Sequence, residues 1–392
     1  MIVEIKGVHF ENQGAHLMLL AVLERLRATI PGAGIVLDGG RNNPDARIAS
    51  TGASRKLRLR KRWFDLNGLS HAWPDAVNEA LARRSLVAEG RLDAVLDASG
   101  YAYGGSWTPW LMRYAAAEID RLADRGRPYI FLPQAFGPFS RGRAAAQFGA
   151  ALDRAALVCV RDRQSERFLV DLNPRLADRL ELYPDFSIDV PGDSSVARRW
   201  GVDGETILLI PNHQMTAAMN PDEAWRSGYV DFLASLAIRL REQGRSVLLL
   251  NHAGREDARL CARIAGMVGD LRTVEEADPR AVKGVIGAAA AVVCSRFHGC
   301  VAALSQGVPC IGTSWSHKYR ELFDEFGAGQ WLLRECSAPL ACDLLDETLR
   351  DRAAHAQRLA GQSSRLMMRV EAMWIRVFDI LRGSPSMRPG RG

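Results

Sequence analysis

The residues best suited to chemistry are an arginine and a histidine that follow a buried strand in the last third of the chain. The run from Ala291 to Cys294 is apolar and is typical of a parallel strand buried on both faces. The turn after it supplies four candidate site residues, Ser295, Arg296, His298 and Gly299. Ligands of open α/β sheets bind past the carboxyl ends of strands, and a helix N-terminus there offers N–H groups to an anion. The pattern predicts an anion-binding site that contains a histidine.

Two further basic residues follow predicted strands. Arg161 lies between an apolar strand and a helix, and Lys318 lies after the strand that closes at Gly312. Because ligands bind at the carboxyl ends of strands, both cations are candidates for the same anion. A structural role is the alternative for Arg161, which could pair with Asp162 or Glu166.

Two turns in the first half of the chain are candidates for contact with a sugar. Asn12 and Gly14 lie between the first strand and the first helix. Three aromatic residues follow a later strand, namely Tyr101, Tyr103 and Trp107. Aromatic faces can stack on sugar rings. The plainer alternatives are a helix cap for the first turn and packing within its own domain for the second.

A basic segment runs from Arg55 to Arg62, with Trp63 and Phe64 beside it. Such a segment could contact an anionic membrane surface or a pyrophosphate-bearing acceptor. A solvated surface is the alternative, because most runs of charge have no other role.

Composition bounds the class of protein. A chain of 392 residues exceeds what one core usually covers, so two domains are expected. No apolar run reaches the roughly 18 residues of a membrane span, and the start of the chain is typical of a strand rather than a signal peptide. The net charge of +6 is compatible with an acidic small molecule, whereas nothing in the sequence indicates nucleic acid. Seven cysteines without metal-ligand spacing indicate reduced thiols and a cytoplasmic protein.

Strands and helices alternate with short connections in both halves, which predicts α/β domains with mostly parallel sheets. Residues 190–205 interrupt the alternation and are interpreted as the interdomain linker. We therefore expect domains at 1–192 and 205–338, C-terminal helices at 339–382 that pack back across the domains, and a disordered tail at 383–392.

Four motifs, in order, resemble signatures of the polysaccharide pyruvyl transferase family between residue 2 and about residue 330. The most specific is the turn from Ser295 to Gly299, with the segment Ala303 to Pro309 and Lys318 after it. The other three are Asn12-Gln13-Gly14, the run from Gln134 to Phe139, and Arg161-Asp162 with Ser165.

The resemblance implies two Rossmann-like domains that face each other across a cleft, as in glycosyltransferases of the B type (GT-B). It also implies transfer of the carboxyvinyl group of phosphoenolpyruvate to a sugar hydroxyl of a cell-surface glycan or its precursor, closing to a pyruvate ketal. By position, Arg161, Arg296 and Lys318 would hold the donor, and His298 would be the general acid. Gln134 joins Asn12, Gly14 and the aromatic turn as a candidate for the acceptor.

The chemistry of the donor suits these residue types. Phosphoenolpyruvate carries a phosphate and a carboxylate close together, and arginine can meet either group with two hydrogen bonds. Carbon C3 must gain a proton, which a histidine can supply near neutral pH. The scheme requires neither a metal nor a cofactor beyond the donor substrate.

The sequence departs from the family at two places, so the acceptor cannot be inferred from relatives. Ala135 and Phe136 stand where Ser and Ile are usual, and Ala15 and His16 stand where an acidic pair often occurs. A glycan linked to a lipid at the membrane and a homo-oligomer are both compatible with the sequence.

Two other functions stay open at this stage. One is a nucleotide-sugar glycosyltransferase of the same fold, in which Glu275 or Glu276 would bind the ribose. The other is a non-catalytic member of the family in envelope glycan assembly.

Overall fold

A computed structural model describes residues 1–61, 64–104, 109–140, 142–218, 220–314, 316 and 318–384. The described chain forms two compact units. Unit 1 comprises residues 1–10, 18–186 and the chain from Arg369 onward, and unit 2 comprises Glu11–Leu17 and Ser187–Met368. Arg62, Trp107 and the predicted tail from residue 385 onward lie outside the described residues.

Unit 1 contains a parallel sheet of eight strands in the order β10-β9-β8-β7-β1-β2-β3-β6, and a separate antiparallel pair, β4-β5. The strands are β1 (Ile2–Lys6), β2 (Gly34–Asp38), β3 (Ser54–Lys56), β4 (Arg60–Lys61), β5 (Phe64–Asp65), β6 (Leu86–Val87), β7 (Ala94–Asp97), β8 (Tyr129–Gln134), β9 (Leu157–Val160) and β10 (Leu180–Leu182). The central strands β7 and β8 are buried at every position, as expected for a parallel sheet covered on both faces.

Six α-helices begin before Phe186 in the residues that the structure describes. They are α1 (Gln13–Thr29), α2 (Asp45–Ser50), α3 (Asp75–Ala82), α4 (Pro109–Ala123), α5 (Arg143–Leu152) and α6 (Arg163–Leu172). Helices α4 and α5 supply Ile119, Leu122 and Phe148 to one core cluster with Phe131 of β8. These apolar side chains form a buried cluster between the two helices and the sheet.

Unit 2 contains a parallel sheet of five strands in the order β13-β12-β11-β14-β15. The strands are β11 (Thr206–Ile210), β12 (Ser246–Asn251), β13 (Thr273–Glu275), β14 (Ala291–Cys294) and β15 (Cys310–Gly312). The helices that begin in this unit are α7 (Ala197–Trp200), α8 (Glu223–Glu242), α9 (Gly254–Val268), α10 (Pro279–Ala288), α11 (Phe297–Ser305), α12 (Lys318–Glu325), α13 (Ala338–Arg350) and α14 (Arg352–Gly383), and α14 continues into the residues of unit 1.

Two strand boundaries that the sequence predicts are wrong. The sequence predicts a short edge strand that ends at Pro184-Asp185, but β10 ends at Leu182. The apolar run from Val308 to Gly312 predicts a strand over its whole length, but β15 begins at Cys310, because the N–H of Val308 donates instead to the carbonyl of Ala303 and closes the end of α11. Among the residues that the structure describes, no helix combines the length and the apolar character needed to cross a membrane.

Candidate functional site

The candidate site of unit 2 lies at the carboxyl edge of its five-stranded sheet. Because the strands are parallel, the turns after β11, β12, β14 and β15 all emerge at this edge. These turns carry, in chain order, His213, His252, the predicted turn with Arg296 and His298, and the segment that leads to Lys318. The sheet order brings together residues that are far apart in the sequence.

Arg296 is the N-cap residue of α11, and its guanidinium is held by Asp257 from the first turn of α9. Its Nε lies 2.6 Å from Oδ2 of Asp257, and its Nη2 contacts Oδ1 of the same carboxylate. Nη2 also lies 3.1 Å from Nδ1 of His213. Among the described residues, Nη1 of Arg296 has no hydrogen-bond partner, so two N–H donors remain for a ligand.

Asp257 is fully buried and accepts from both partners. Its Oδ1 lies 2.9 Å from Nδ1 and 3.0 Å from the backbone N of His213. Burial by itself would raise the pKa of Asp257, but the hydrogen bonds with His213 and the charge of Arg296 lower it below its ordinary value. The carboxylate therefore stays ionised and orients the guanidinium.

His298 lies against the first turn of α1. A Cβ placed on Gly14 would lie 2.2 Å from Nδ1 and 2.3 Å from Cγ of His298, so the absence of a side chain at this position makes room for the imidazole. The N–H of Gly14 donates to Oδ1 of Asn12 at 2.9 Å, and Asn12 forms a β-bridge with Ala253. Asn12 and Gly14, predicted as acceptor residues, thus shape the surroundings of His298 within unit 2.

His252 is a further histidine of this edge. It is 3% exposed, and its Nδ1 has no hydrogen-bond partner among the described residues. Burial lowers the pKa of His252 to about 3, and the positive charge of Arg296 contributes in the same direction. The imidazole is therefore neutral at physiological pH.

Ser295 and Gly299 shape the turn itself. The hydroxyl of Ser295 is buried and bonds to the hydroxyls of Tyr229 and Thr313, both at 2.5 Å. A Cβ on Gly299 would lie 2.6 Å from Sγ of Cys294, so α11 can approach the end of β14 only with glycine here. These two residues, predicted to bind the donor, fix the backbone that carries Arg296 and His298.

Lys318 is the first residue of α12, and its ammonium lies beside the same turn. Nζ is 5.4 Å from the ring centroid of Phe297, which is a distance typical of a cation–π contact. The Phe297 ring in turn meets that of His298 edge to face, with 5.5 Å between centroids. Lys318 therefore adds a second cation beside the Phe297 ring, which the histidine also contacts.

Arg161 belongs to unit 1, where its guanidinium pairs with Asp185. Nη1 lies 2.9 Å from Oδ2, and both side chains are buried. Of the two partners considered from the sequence, Asp162 caps α6 by accepting from the N–H of Ser165 at 2.6 Å, and Glu166 pairs with Arg163. A buried ion pair between β9 and the segment after β10 is therefore the observed setting of Arg161.

Gln134 and Tyr103 both contact the buried carboxylate of Asp97 in unit 1. The Tyr103 hydroxyl donates to Oδ2 at 2.6 Å, and Gln134 Nε2 donates to Oδ1 at 3.4 Å and to the backbone carbonyl of Asp97 at 3.2 Å. The ring of Tyr103 is 3% exposed and stacks on Phe148, so its faces lie in the core. The hydroxyl of Tyr101 donates to the Gly137 carbonyl at 2.9 Å. Trp107 lies outside the described residues.

Sequence reasoning missed His213, His252 and Asp257. The signal for the two histidines was available, because each follows an apolar strand in the same way as Arg296 does. Asp257 carried no such signal, since its role depends on which strand lies next to which. Within the described ranges, no group of three His, Cys, Asp or Glu side chains is placed to hold a metal ion.

The family model described as polysaccharide pyruvyl transferase matches residues 12–317 of the chain. No curated protein matches it. Solved structures similar to it include UDP-N-acetylglucosamine 2-epimerase from Rickettsia bellii, at 12% identity over 97% of both chains, with a TM-score of 0.59.

The Neisseria meningitidis UDP-GlcNAc 2-epimerase bound to UDP-GlcNAc is 10% identical over 95% of this chain and 99% of that chain, with a TM-score of 0.55. Anabaena Alr3699/HepE in complex with UDP is 11% identical over 97% and 99% of the two chains, with a TM-score of 0.59. These likenesses confirm the predicted GT-B fold class, with a Rossmann-like parallel sheet in each unit.

Proposed function

The chain belongs to the polysaccharide pyruvyl transferase family, and we propose that it moves the carboxyvinyl group of phosphoenolpyruvate to a sugar hydroxyl of a cell-surface glycan or its precursor. The observation that carries the proposal is the turn after β14, where His298 lies between Arg296 and Lys318 in the sequence and beside the ring that Lys318 covers. A proton donor among cations is what this donor substrate needs.

Donor binding is assigned to Arg296, Lys318 and the start of α11. The donor bears a phosphate and a carboxylate, and the two Nη1 hydrogens of Arg296 can meet one of them. The first N–H groups of α11 have no partner within the helix and favour an anion. Asp257 is a positioning residue, because it fixes the guanidinium without contacting the donor.

His298 is proposed to protonate C3 of the donor, which leaves an oxocarbenium-like centre at C2. One sugar hydroxyl adds to C2, the C2–O bond to phosphate breaks, and a second hydroxyl adds to close the ketal. The two hydroxyl protons are released in these steps, one returning to the histidine and the other leaving with phosphate. Atoms and charge therefore balance without a redox partner.

The reaction is placed in the cytoplasm, where the donor is made. All seven cysteines are free thiols, and six of them are buried, which suits a reducing compartment.

The test is release of phosphate from phosphoenolpyruvate in the presence of glycans, compared between the wild type and His298→Ala. The variant should lose turnover while donor binding, measured by calorimetry, largely persists. Turnover with a nucleotide sugar and none with phosphoenolpyruvate would overturn the proposal, and so would full activity of His298→Ala.

A further inference from the structure

Unit 1 contains a cavity of about 600 Å³ beyond the carboxyl ends of three neighbouring strands, β2, β1 and β7. Lys6 and Asp38, the last residues of β1 and β2, line it together with Ser99 after β7. Cavities of 300–1,000 Å³ at this edge of an α/β sheet are where such folds bind small molecules. The catalytic proposal above uses none of its lining residues.

The cavity wall has an excess of positive charge. Arg58 and Arg60 share the carboxylate of Asp38, which Arg58 grips at both oxygens and Arg60 approaches to 3.6 Å. Lys61 also lines the cavity, and no carboxylate of the described residues lies within ion-pair distance of it. One carboxylate thus orients two guanidiniums and leaves positive charge for an anionic ligand.

Another part of the cavity wall is aromatic. Trp110 is 37% exposed, and its ring meets that of Tyr114 at 5.6 Å between centroids. Arg60 lies over the Tyr114 ring at 4.8 Å, and the Tyr114 hydroxyl donates to the carbonyl of Lys61 at 2.9 Å. These contacts hold the basic and aromatic walls in a fixed relation, with one indole ring accessible for a sugar to stack on.

We infer that this cavity binds a sugar that carries a phosphate or diphosphate ester, with the ester at Arg58, Arg60 and Lys61 and the sugar ring at Trp110. The inference rests on the proposed function only in naming this sugar as the acceptor. A membrane surface fits the geometry less well, because the Arg60 side chain is 16% exposed and is turned into the cavity.

The test measures binding to the full chain by calorimetry, in the absence of phosphoenolpyruvate. The probes are a free hexose, inorganic phosphate, a hexose 1-phosphate and a hexose diphosphate on a short prenyl chain. The inference predicts that each ester binds more tightly than either the free hexose or phosphate alone. The ester that binds more tightly shows whether the ligand is a soluble sugar phosphate or a lipid-linked sugar diphosphate.

Lys61→Ala should weaken ester binding about tenfold, since one charge-assisted hydrogen bond is lost. Trp110→Ala should weaken it through loss of stacking. The matched control is Arg163→Ala, which removes one exposed basic residue of the same unit and should leave the affinity unchanged.

Equal affinity for free and phosphorylated hexose, or unchanged affinity in both variants, would overturn the inference. Binding to anionic phosphatidylglycerol vesicles without affinity for either ester would also overturn it. Because phosphoenolpyruvate is absent from the binding assay, these results do not depend on whether the catalytic proposal is correct. If the protein releases phosphate with a neutral glycan as acceptor but binds neither ester, the ligand assigned to the cavity is refuted and the catalytic proposal stands.

Discussion

Gly14→Ala should displace His298 without removing any ionisable group from the site. The new Cβ would lie 2.2 Å from Nδ1, 2.3 Å from Cγ and 2.6 Å from Cβ of the histidine. Non-bonded carbon atoms rest about 3.5–4.0 Å apart, so the imidazole or the backbone of residue 14 must move by more than about 1 Å. A misplacement of that size can cost about 100-fold in rate.

The assay is release of phosphate from phosphoenolpyruvate with a saturating acceptor, together with thermal unfolding of each variant. Gly266→Ala is the matched control, because nothing lies within 4 Å of a Cβ at that position in α9 of the same unit. We expect kcat to fall about 100-fold in Gly14→Ala and to stay unchanged in the control. Full activity of a folded Gly14→Ala variant would refute the contact as the reason for glycine at this position.

Three further predictions concern stability. Asp257→Asn should cost about 3–5 kcal/mol in the free energy of unfolding, because it leaves the Arg296 guanidinium without its carboxylate. Since the pKa of Asp257 is lowered in the folded state, the stabilisation by this carboxylate should be present above the unfolded pKa and be lost as the pH falls through the folded pKa. Urea titrations of both proteins at several pH values measure the size and the pH dependence of the difference in unfolding free energy, and a pH-independent difference would contradict the assignment. The pKa of His252 is about 3 in the folded chain against an ordinary 6.5. As the pH falls from 6.5 towards 3, the histidine of the unfolded chain binds a proton before that of the folded chain does, so the free energy of unfolding declines over this range. His252→Gln should flatten this decline, and an unaltered slope would show that another group causes it. Asp185→Asn should destabilise unit 1 by about 3–5 kcal/mol, because it leaves the Arg161 guanidinium buried without its carboxylate. The double change Arg161→Met with Asp185→Leu should recover most of this loss, and no recovery would show that the two side chains contribute more than the cancellation of each other's charge.

Local pattern was sufficient to predict most of the elements that carry the site. The apolar run at Ala291–Cys294 predicted a strand where the structure has one. The boundary at Val308 failed because one backbone N–H can close a helix or extend a strand, and the sequence does not distinguish the two.

Side-chain partners could not be predicted in the same way. The contact of Asp257 with Arg296 joins α9 to the turn after β14, and it depends on β11 lying between β12 and β14. The contact of Gly14 with His298 joins the first helix to a turn in the last third of the chain. Arg161 was a candidate for binding an anion, with its sequence neighbours as the alternative partners, whereas Asp185, with which it pairs, follows β10, the strand next to β9 in the sheet. The pairings of Asp257 and Arg161 depend on strand order and that of Gly14 depends on the packing of α1, neither of which a single sequence states.

Phosphoenolpyruvate labelled with ¹³C at C3 gives the most direct test of the central claim. The wild-type chain is incubated with the labelled donor and glycan acceptors, and the label is followed by NMR. The account predicts that the vinyl signal is replaced by a ketal methyl signal on the glycan in step with phosphate release, and that His298→Ala shows neither change. Transfer of a sugar from a nucleotide donor, with the vinyl signal intact, would contradict it.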